Sequence, residues 1–408
     1  MMWKHENRAA LTGMLMAALA GGTACGGNDS PSSEVGSGGA AAGAAGASSG
    51  GTGNAGGSAG SAGNGGTAGN GGTAGNAGSA GNGGGAGIAG SGGAGGSAGN
   101  PGSGGAGGSG GRTALLQDLV GFAQGTTGGK DGSTCEVTTL ADSGAGSLRA
   151  CAQASGPAWI VFKVSGTIQA KSAIKVTSDK TIDGRGQTIT IQNYGLHVDG
   201  VSNVIVENLI IKNGTDDAIR VINSAKKVWI DHCELSNFSD GAIDITRQAT
   251  DVTVSWTKFF NHDKVMLISA DDTHTQDTVI RVTLHHNYFV GTVQRHPRLR
   301  FGKVHAFNNL LEDWQAYGMR AHLGGQLLSE ANVFDAVTNT HAIDIGKESP
   351  APHIKSLNDL TLGGAVAKEI DPNGVFDPKS YYPYTPETAN AALSKKISSQ
   401  AGWRSWQP

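Results

Sequence analysis

The feature that most constrains this chain is a set of short apolar strands that recur at nearly equal intervals. Six segments alternate apolar and polar residues, which is the period-two pattern of a β-strand: NVIVENLII, KVWIDHCEL, DVTVSWTKF, RVTLHHNYF, KVHAFNNLL and QLLSEANVF. Their alignment gives steps of 24, 24, 30, 22 and 24 residues between Val204, Val228, Val252, Val282, Val304 and Leu328. One strand in each repeat of roughly 20–30 residues is typical of a solenoid.

This repeat predicts an all-β fold, a parallel β-helix in which each coil stacks its strand on the strand below. Strong helical periodicity is absent from the repeats, which argues against a leucine-rich horseshoe. The alignment also brings Asn208, Asn308 and Asn332 to one register, where we expect their side-chain amides to stack along a column.

The N-terminus has the pattern of an export signal. Within residues 1–24, Lys4 and Arg8 give a positive start, and the apolar run that follows is too short to span a bilayer. Small residues precede Cys25, as in a lipoprotein cleavage site. Cleavage after Ala24 without lipidation remains the alternative.

A low-complexity tract separates this signal from the repeats. Residues 25–111 consist mostly of Gly, Ala, Ser, Asn and Thr, and they contain most of the 67 glycines of the chain. Such a composition cannot bury a core, so we predict a disordered Gly-rich tether. One folded domain, residues 112–408, then remains, and it is long enough to bury a sizeable core.

Two stretches in successive repeats carry aspartates at equivalent places, TDDAIRV (215–221) and SDGAIDI (239–245). Because paired strands lie about 4.8 Å apart, Asp217, Asp240 and Asp244 should converge. Three carboxylates without Cys or His suit a hard cation, above all Ca²⁺. An equally weighted alternative is that they are turn aspartates at coil ends, since Asp-Gly is common in turns.

A basic cluster follows these aspartates along the same predicted face. Lys264 lies in NHDKVMLI, and Arg295, Arg298 and Arg300 lie in QRHPRLR, although the net charge of the chain is −3. Acids and cations in one groove indicate a metal that bridges to an anionic ligand held by the cations. A nucleic-acid partner is disfavoured by the net charge, the export signal and the absence of any nucleic-acid-binding motif.

Together with GFAQGTTGG, GSLRACAQ, TIDGRG and VWIDHC, these stretches make the chain resemble the pectate lyases of polysaccharide lyase family 1, over roughly residues 121–335. The resemblance implies a right-handed parallel β-helix. It also assigns the functional positions: the Ca²⁺ ligands Asp217, Asp240 and Asp244, the substrate-carboxylate cations Lys264 and Arg300, and the catalytic base Arg295. Asp240 stands where the family often has the longer Glu, and Arg298 matches no functional position.

The resemblance further implies Ca²⁺-dependent β-elimination of α-1,4-linked polygalacturonate, which gives 4,5-unsaturated oligogalacturonates outside the cell. We expect a monomer that is secreted or lipid-anchored at a bacterial surface, with membrane contact only through Cys25. Because arginine normally keeps its proton, an arginine base implies an alkaline activity optimum.

Three other functions deserve comparison. A pectin lyase acts on methylated chains without calcium, which the three aspartates disfavour. A hydrolytic polygalacturonase needs a Gly-His-Gly turn and an Arg-Ile-Lys stretch, and the sequence contains neither. A surface protein that only binds polyuronate would not need the set of Lys264, Arg295 and Arg300.

The remaining histidines, tryptophans and cysteines have structural explanations. Six histidines fit no zinc signature and are interpreted as stacked strand residues: His232, His262, His285, His286, His296 and His305. We expect Trp229 and Trp256 to pack rather than to bind sugar. Cys135 and Cys151 can form a disulfide in an exported domain, with Cys233 as a buried free thiol.

Overall fold

The computed structural model describes residues 109–406, in which three parallel β-sheets wind into one solenoid. Sheet 1 has ten strands: Ser133–Val137, Ala158–Phe162, Lys180–Asp183, Ser202–Glu207, Lys226–Asp231, Thr250–Ser255, Arg281–His285, Lys303–Phe307, Gln326–Glu330 and His353–Leu357. Sheet 2 has nine: Gly166–Gln169, Ile189–Asn193, Ile210–Gly214, Glu234–Phe238, Lys258–Phe260, Tyr288–Val290, Leu310–Glu312, Val333–Asp335 and Leu360–Leu362. Sheet 3 also has nine: Ile174–Lys175, Leu196–Asp199, Ile219–Ile222, Gly241–Ile245, Lys264–Ile268, Arg298–Arg300, Met319–His322, His341–Ile345 and Val366–Ala367. From Ala158 onwards each coil visits the sheets in this order, so the predicted parallel β-helix is confirmed.

Helices are few in this part of the chain. They are α1 (Ser109–Gln117), α2 (Leu148–Gln153), α3 (Ala391–Gln400) and three short 3₁₀ turns, Thr275–Val279, Pro372–Gly374 and Pro378–Ser380. Within residues 109–406, no helix has the length and apolar character needed to cross a membrane.

The first strand of sheet 1 is tied to α2 by a disulfide. Cys135 and Cys151 form this bond, and Cys233 is a buried free thiol, as predicted. Ser147 caps α2, since its hydroxyl accepts a hydrogen bond from the Ala150 amide.

The core consists of inward side chains that stack in columns along the solenoid. One column of sheet 1 contains Val204, Val228, Val252, Val282, Val304 and Leu327. The sequence alignment had placed Leu328 at the end of this column, which is wrong by one residue. The coil from Val304 to Leu327 is 23 residues long, and Leu328 pairs with His305 instead.

From the coil that begins at Ser202 onwards, each coil turns from sheet 1 into sheet 2 through a residue in the left-handed conformation. These residues have φ between 47° and 57°: Asn208, His232, Trp256, His286, Asn308, Ala331 and Asn358. Asparagine tolerates this conformation better than most residues. Asn208 and Asn308 therefore share a register, as predicted, but the placement of Asn332 with them is wrong.

Asn332 lies one residue further on, in a buried amide ladder. Its Oδ1 accepts a hydrogen bond from the Asn309 amide at 2.8 Å, and Asn309 Oδ1 in turn accepts one from the Asn287 amide at 3.0 Å. The ladder satisfies backbone groups that the turn leaves inside the solenoid.

Residues 376–406, here called the C-terminal strap, run back along the outside of the solenoid. The Glu387 amide donates to Asn308 Oδ1, and the Arg404 amide donates to Asn208 Oδ1, both at 2.8 Å. Asn208 and Asn308 therefore hold the strap instead of bonding to each other. Near its middle, α3 buries Leu393 against sheet 2.

The predicted signal (residues 1–24), the lipidation site Cys25 and the tether up to residue 108 lie outside the described residues.

Candidate active site

The candidate functional residues lie where the chain passes from sheet 2 into sheet 3. In successive coils these turns carry Asp217, then Asp240, then Lys264, then Arg295. Lys264 pairs with Gly241 of the preceding coil and bridges to Gln294 of the following coil. Adjacent turns are thus one strand spacing apart, about 4.8 Å, and the acids and cations form a line along the solenoid.

Four aspartates meet in this line. Carboxylate oxygens of Asp216, Asp217 and Asp240 lie within 4.8 Å of one another. Asp244 joins them, because a Cβ placed on Gly241 would lie 2.4 Å from Asp244 Oδ1 and 2.7 Å from Asp217 Oδ1. Only glycine fits at position 241 beside these two carboxylates.

The local environment disfavours charge on two of these groups. Burial raises the pKa of Asp217 to about 6, and repulsion from Asp216 and Asp240 adds to the rise. Burial also raises the pKa of Asp244 well above its usual value, with further repulsion from Asp217 and Asp240. Such a cluster is stabilised either by protons or by a cation.

The donor set fits a hard divalent cation. Asp217 Oδ2 and Asp244 Oδ1 are buried and accept no hydrogen bond within residues 109–406. Asp217 Oδ2 faces Arg220 Nε at 3.3 Å, while Asp217 Oδ1 accepts a hydrogen bond from the Gly241 amide. Carboxylate oxygens are the ligands that Ca²⁺ prefers, so the residues present suit this ion.

Lys264 adjoins the acidic cluster directly. Its ammonium pairs with Asp240 Oδ1 at 3.1 Å, and both side chains remain partly exposed, at 35% and 47%. A ligand carboxylate reaching the cluster would therefore meet Lys264 as well.

Arg295 lies at a bulge in sheet 3. Lys264 bridges to Gln294, and Leu267 pairs with Arg298. Between these two pairs the first strand advances three residues and the second advances four, so the second strand contains one extra residue. Arg295 has φ 68°, and bulges of this kind redirect a side chain. Its charge favours the ionised form of Asp244, so the guanidinium lies close to the acidic cluster.

The other two arginines of this segment lie beyond the bulge. Arg300 is at the opposite end of its strand, 7% exposed, with Nε donating to Asp272 at 2.7 Å and Nη1 donating to the Ser269 carbonyl at 3.1 Å. Arg300 thus lies beyond the bulge from Arg295 and is held by Asp272 and Ser269. Arg298 is not peripheral, because it is buried and pairs in register with Arg320 of the next coil.

Sequence reasoning missed Asp216 and Arg220. Arg220 forms ion pairs with both Asp216, at 2.9 Å, and Asp217. The tandem aspartates of TDDAIRV were a usable signal for Asp216. No sequence signal indicated Arg220, because an arginine that points outward from a strand is ordinarily solvated.

A second acidic group lies away from this line, at the end of sheet 1. Oxygens of Glu207 and Asp231 and a nitrogen of His232 lie within 4.8 Å of one another. Burial raises the pKa of Glu207 well above its usual value, and repulsion from Asp231 adds to the rise, so the neutral form of the Glu207 carboxyl group is favoured. Arg185 supplies a positive charge nearby.

The predicted packing of histidines and tryptophans is confirmed. Trp256 stacks between His232 and His286, with ring centroids 5.8 and 4.3 Å away. His285 and His305 both stack on Phe307. Two further histidines, His262 and His296, are buried, and Trp229 is fully buried.

Comparison with known proteins agrees with this fold. Residues 94–405 match the family described as pectate lyase. Pectate lyase 1 of Ambrosia artemisiifolia is 34% identical over 322 residues, which cover 71% of this chain and 81% of that protein.

Solved structures share the architecture. The major cedar pollen allergen jun a 1 superposes with a TM-score of 0.66 and 31% identity, covering 72% of this chain and 95% of that chain. A pectate lyase from Bacillus sp. N165, solved in complex with trigalacturonate, has a TM-score of 0.58 and 24% identity, covering 70% and 98%. At this identity the likeness shows the fold alone.

The fold and these matches define a polysaccharide lyase built on a parallel β-helix. The chain belongs to the pectate lyase family.

Proposed function

We propose that this protein cleaves α-1,4-linked polygalacturonate by calcium-dependent β-elimination and releases 4,5-unsaturated oligogalacturonates. The observation that carries the proposal is the line of turns in which four aspartates are followed by Lys264 and Arg295. Membership of the pectate lyase family supports the substrate class.

Ca²⁺ would be held by Asp217, Asp240 and Asp244, with Asp216 close enough to contribute. When bound, it would neutralise the substrate carboxylate and make the adjacent ring proton more acidic. Mutual repulsion among the four carboxylates would be relieved at the same time.

The side chains of the protein perform the remaining work. Lys264 would pair with the carboxylate at the reacting sugar and stabilise the charge that develops on it. Arg295 would accept the C5 proton, the C5–H electrons would form the C4–C5 double bond, and the C4–O glycosidic bond would break. The leaving oxygen then takes a proton from water, and the hydroxide that remains removes the transferred proton from Arg295, which restores the base.

Arg300 would hold a substrate carboxylate with the N–H groups that Asp272 and Ser269 leave available. A planar guanidinium suits this task, because it can form two parallel hydrogen bonds with a carboxylate. The ion pair with Asp272 keeps the guanidinium oriented in the absence of substrate.

We also propose that the protein acts as an exported monomer, secreted or anchored through a lipid on Cys25. The supporting observations are the charged and apolar pattern of residues 1–24 and the small residues before Cys25. Mass spectrometry of the mature N-terminus tests the anchor, and an unmodified Cys25 would contradict it.

The central experiment is the absorbance of unsaturated product formed from polygalacturonate, with Ca²⁺ and with excess chelator. We expect product with Ca²⁺ only. Full turnover after exhaustive chelation would contradict the calcium requirement. Faster release from highly methylated pectin would favour the pectin lyase alternative, and binding without product would favour a non-catalytic polyuronate-binding protein.

A further inference from the structure

We propose that the substrate groove continues past the acidic cluster into a subsite formed by Tyr194 and Lys171, which holds a further uronate unit of the polymer. This inference rests on the proposed function and extends it to sugars that do not react.

The first observation is the position of Tyr194 in the line of turns. Leu196 pairs with Ile219, so counting back two residues brings Tyr194 beside Asp217 of the next coil. The chain is tightly packed here, since a Cβ on Gly195 would lie 2.0 Å from the Ala218 carbonyl oxygen. Tyr194 is therefore one strand spacing from a proposed Ca²⁺ ligand.

The second observation is an open cleft at the same place. Its volume is about 530 Å³, and it is lined by Ala170, Lys171, Asn193, Tyr194, Asn213, Gly214 and Thr215. These residues come from three successive coils, where the strands of sheet 2 end and the turns into sheet 3 begin. The cleft thus lies on the same line as the acidic cluster and begins at Thr215, next to Asp216.

The third observation is that the two functional groups of the cleft have no partner within the described residues. Tyr194 is 37% exposed, and within residues 109–406 its hydroxyl forms no hydrogen bond and its ring stacks on no other aromatic ring. The Lys171 ammonium is exposed and forms no ion pair among these residues. The Lys171 charge helps to lower the pKa of Asp142, but the ion pair of Asp142 is with Arg149, at 2.6 Å.

A single exposed tyrosine is common on protein surfaces. Tyr194 differs from the other aromatic residues in this line of turns, because Trp314 and Tyr317 are buried. Tyr194 is thus the aromatic face that the line presents to a ligand, within residues 109–406.

The cleft matches the chemistry of a polyuronate. A sugar ring offers apolar C–H groups to an aromatic face, and each uronate carries a carboxylate that Lys171 can pair with. Side-chain amides fix neighbouring turns, since Asn193 donates to Gln169 at 3.0 Å and Asn237 donates to Asn213 at 2.8 Å. The subsite is therefore formed before substrate binds.

The test compares steady-state kinetics of the full-length protein on long polygalacturonate with Ca²⁺. We expect Tyr194→Ala and Lys171→Gln each to raise KM by about tenfold, as loss of one favourable contact implies, with kcat changed less than about twofold. Tyr194→Phe should keep the wild-type KM, because the ring rather than the hydroxyl makes the contact. Lys163→Gln, which removes an exposed cation elsewhere on the surface, is the control and should change nothing.

The outcomes separate this inference from the proposed function. An active wild-type enzyme with unchanged KM in both subsite variants would overturn the subsite alone. If the wild type gives no unsaturated product, the proposed reaction fails, and calorimetric titration with polygalacturonate then decides the subsite. Weaker binding by Tyr194→Ala and Lys171→Gln would support it, and equal binding would overturn it.

Discussion

Arg295 owes its position to one extra residue in its strand. The bulge between Gln294 and Arg298 turns the backbone through a left-handed φ of 68°. The guanidinium is close enough to Asp244 for its charge to favour the ionised carboxylate, and an extra residue in a strand changes the direction in which a side chain points. A base must be within reach of the proton that it removes, so the bulge supplies geometry that the residue type alone does not.

This placement predicts the effect of a conservative change. Arg295→Lys keeps the charge but loses the planar guanidinium and its reach, so we expect kcat to fall by about 10²–10⁴, the usual contribution of a general base. Substrate affinity should change little. Stopped-flow turnover and equilibrium binding of polygalacturonate measure the two effects separately.

Arg298→Ala is the contrasting variant, and Arg281→Lys, at an ion pair with Asp251 outside the site, is the control. Sequence reasoning expects Arg298→Ala to keep most activity. If it lost as much kcat as Arg295→Lys while still folded, the arginines would act as a general anion-binding patch, and the assignment of the base would be wrong.

Asp244 provides the test of the metal site. Asp244→Asn removes one of the converging charges, and fewer ligand charges weaken Ca²⁺ binding, so we expect half-maximal activity to need at least about tenfold more Ca²⁺. Circular dichroism should stay unchanged. Asp131→Asn, at an exposed turn before the first strand of sheet 1, is the matched control, and an equal effect of both changes would contradict a localised site.

At the residue scale, the predicted and observed positions agree for those site residues whose spacing equals the length of a coil. Asp217, Asp240 and Lys264 follow the coil spacing, so the repeat alone brings them together. The same 24-residue spacing places Asp216 opposite Asp240 and Asp217 opposite Gly241, so the repeat also indicated Asp216, although the sequence analysis did not single it out. The ion pair of Arg300 with Asp272 was not predictable, because no coil spacing relates these two residues.

At the scale of single elements, the amide ladder offers a measurable contribution to stability. Asn309 bonds to the Asn287 amide and donates to the Leu284 carbonyl inside the solenoid. Asn309→Ala leaves such buried groups unpaired, so we expect the free energy of unfolding to fall by roughly 2–4 kcal/mol. Urea denaturation measures it.

The neighbouring Asn308 is the control for the ladder. It faces outward and holds the strap at Glu387, so Asn308→Ala should loosen the strap with a smaller loss of global stability. A larger loss for Asn308→Ala than for Asn309→Ala would contradict the assigned roles.

The turn that carries the bulge also makes stability depend on pH. His296 is fully buried between Thr292 and the Gly318 carbonyl, and burial lowers its pKa to about 4. The unfolded chain binds a proton near pH 6.5, whereas the folded chain does not. Stability is therefore full above pH 6.5 and falls towards pH 4, by about 2 kcal/mol between pH 7 and pH 5 for this residue.

The measurement is the difference in unfolding free energy between pH 7 and pH 5 for the wild type and His296→Gln. We expect the variant to lose about 2 kcal/mol less over this interval, whatever its stability at pH 7. Burial also lowers the pKa values of His285 and His305, so some acid sensitivity should remain. Identical pH dependence in both proteins would show that His296 does not contribute.

How far the elements were predictable depended on the regularity of the coils. Strands of sheet 1 gave a clear period, and their order and parallel pairing followed from it. The turns differ in length from coil to coil, so a register counted from one strand does not hold around the whole coil. Leu328 and Asn332 were misplaced by one residue for this reason.

At the scale of the whole molecule, the repeats begin well after the Gly-rich tract. We expect a protein that starts shortly before Ser109 to match the kcat of the full chain, because residues 25–108 contain none of the described site. The start must keep Arg112, whose guanidinium donates to the carbonyls of Lys130 and Gly132 at 3.0 Å. Turnover and melting temperature check this, and a large loss of kcat would contradict the tether assignment.

The C-terminal strap also has a consequence for biosynthesis. A chain emerges from the ribosome with its N-terminal coils first, yet the strap that covers Asn208, Trp256 and Asn308 is made last. The coils must therefore stack while this side of the solenoid is still bare. Release of the finished chain is the moment at which the strap can join coils far apart in sequence into one cooperative unit.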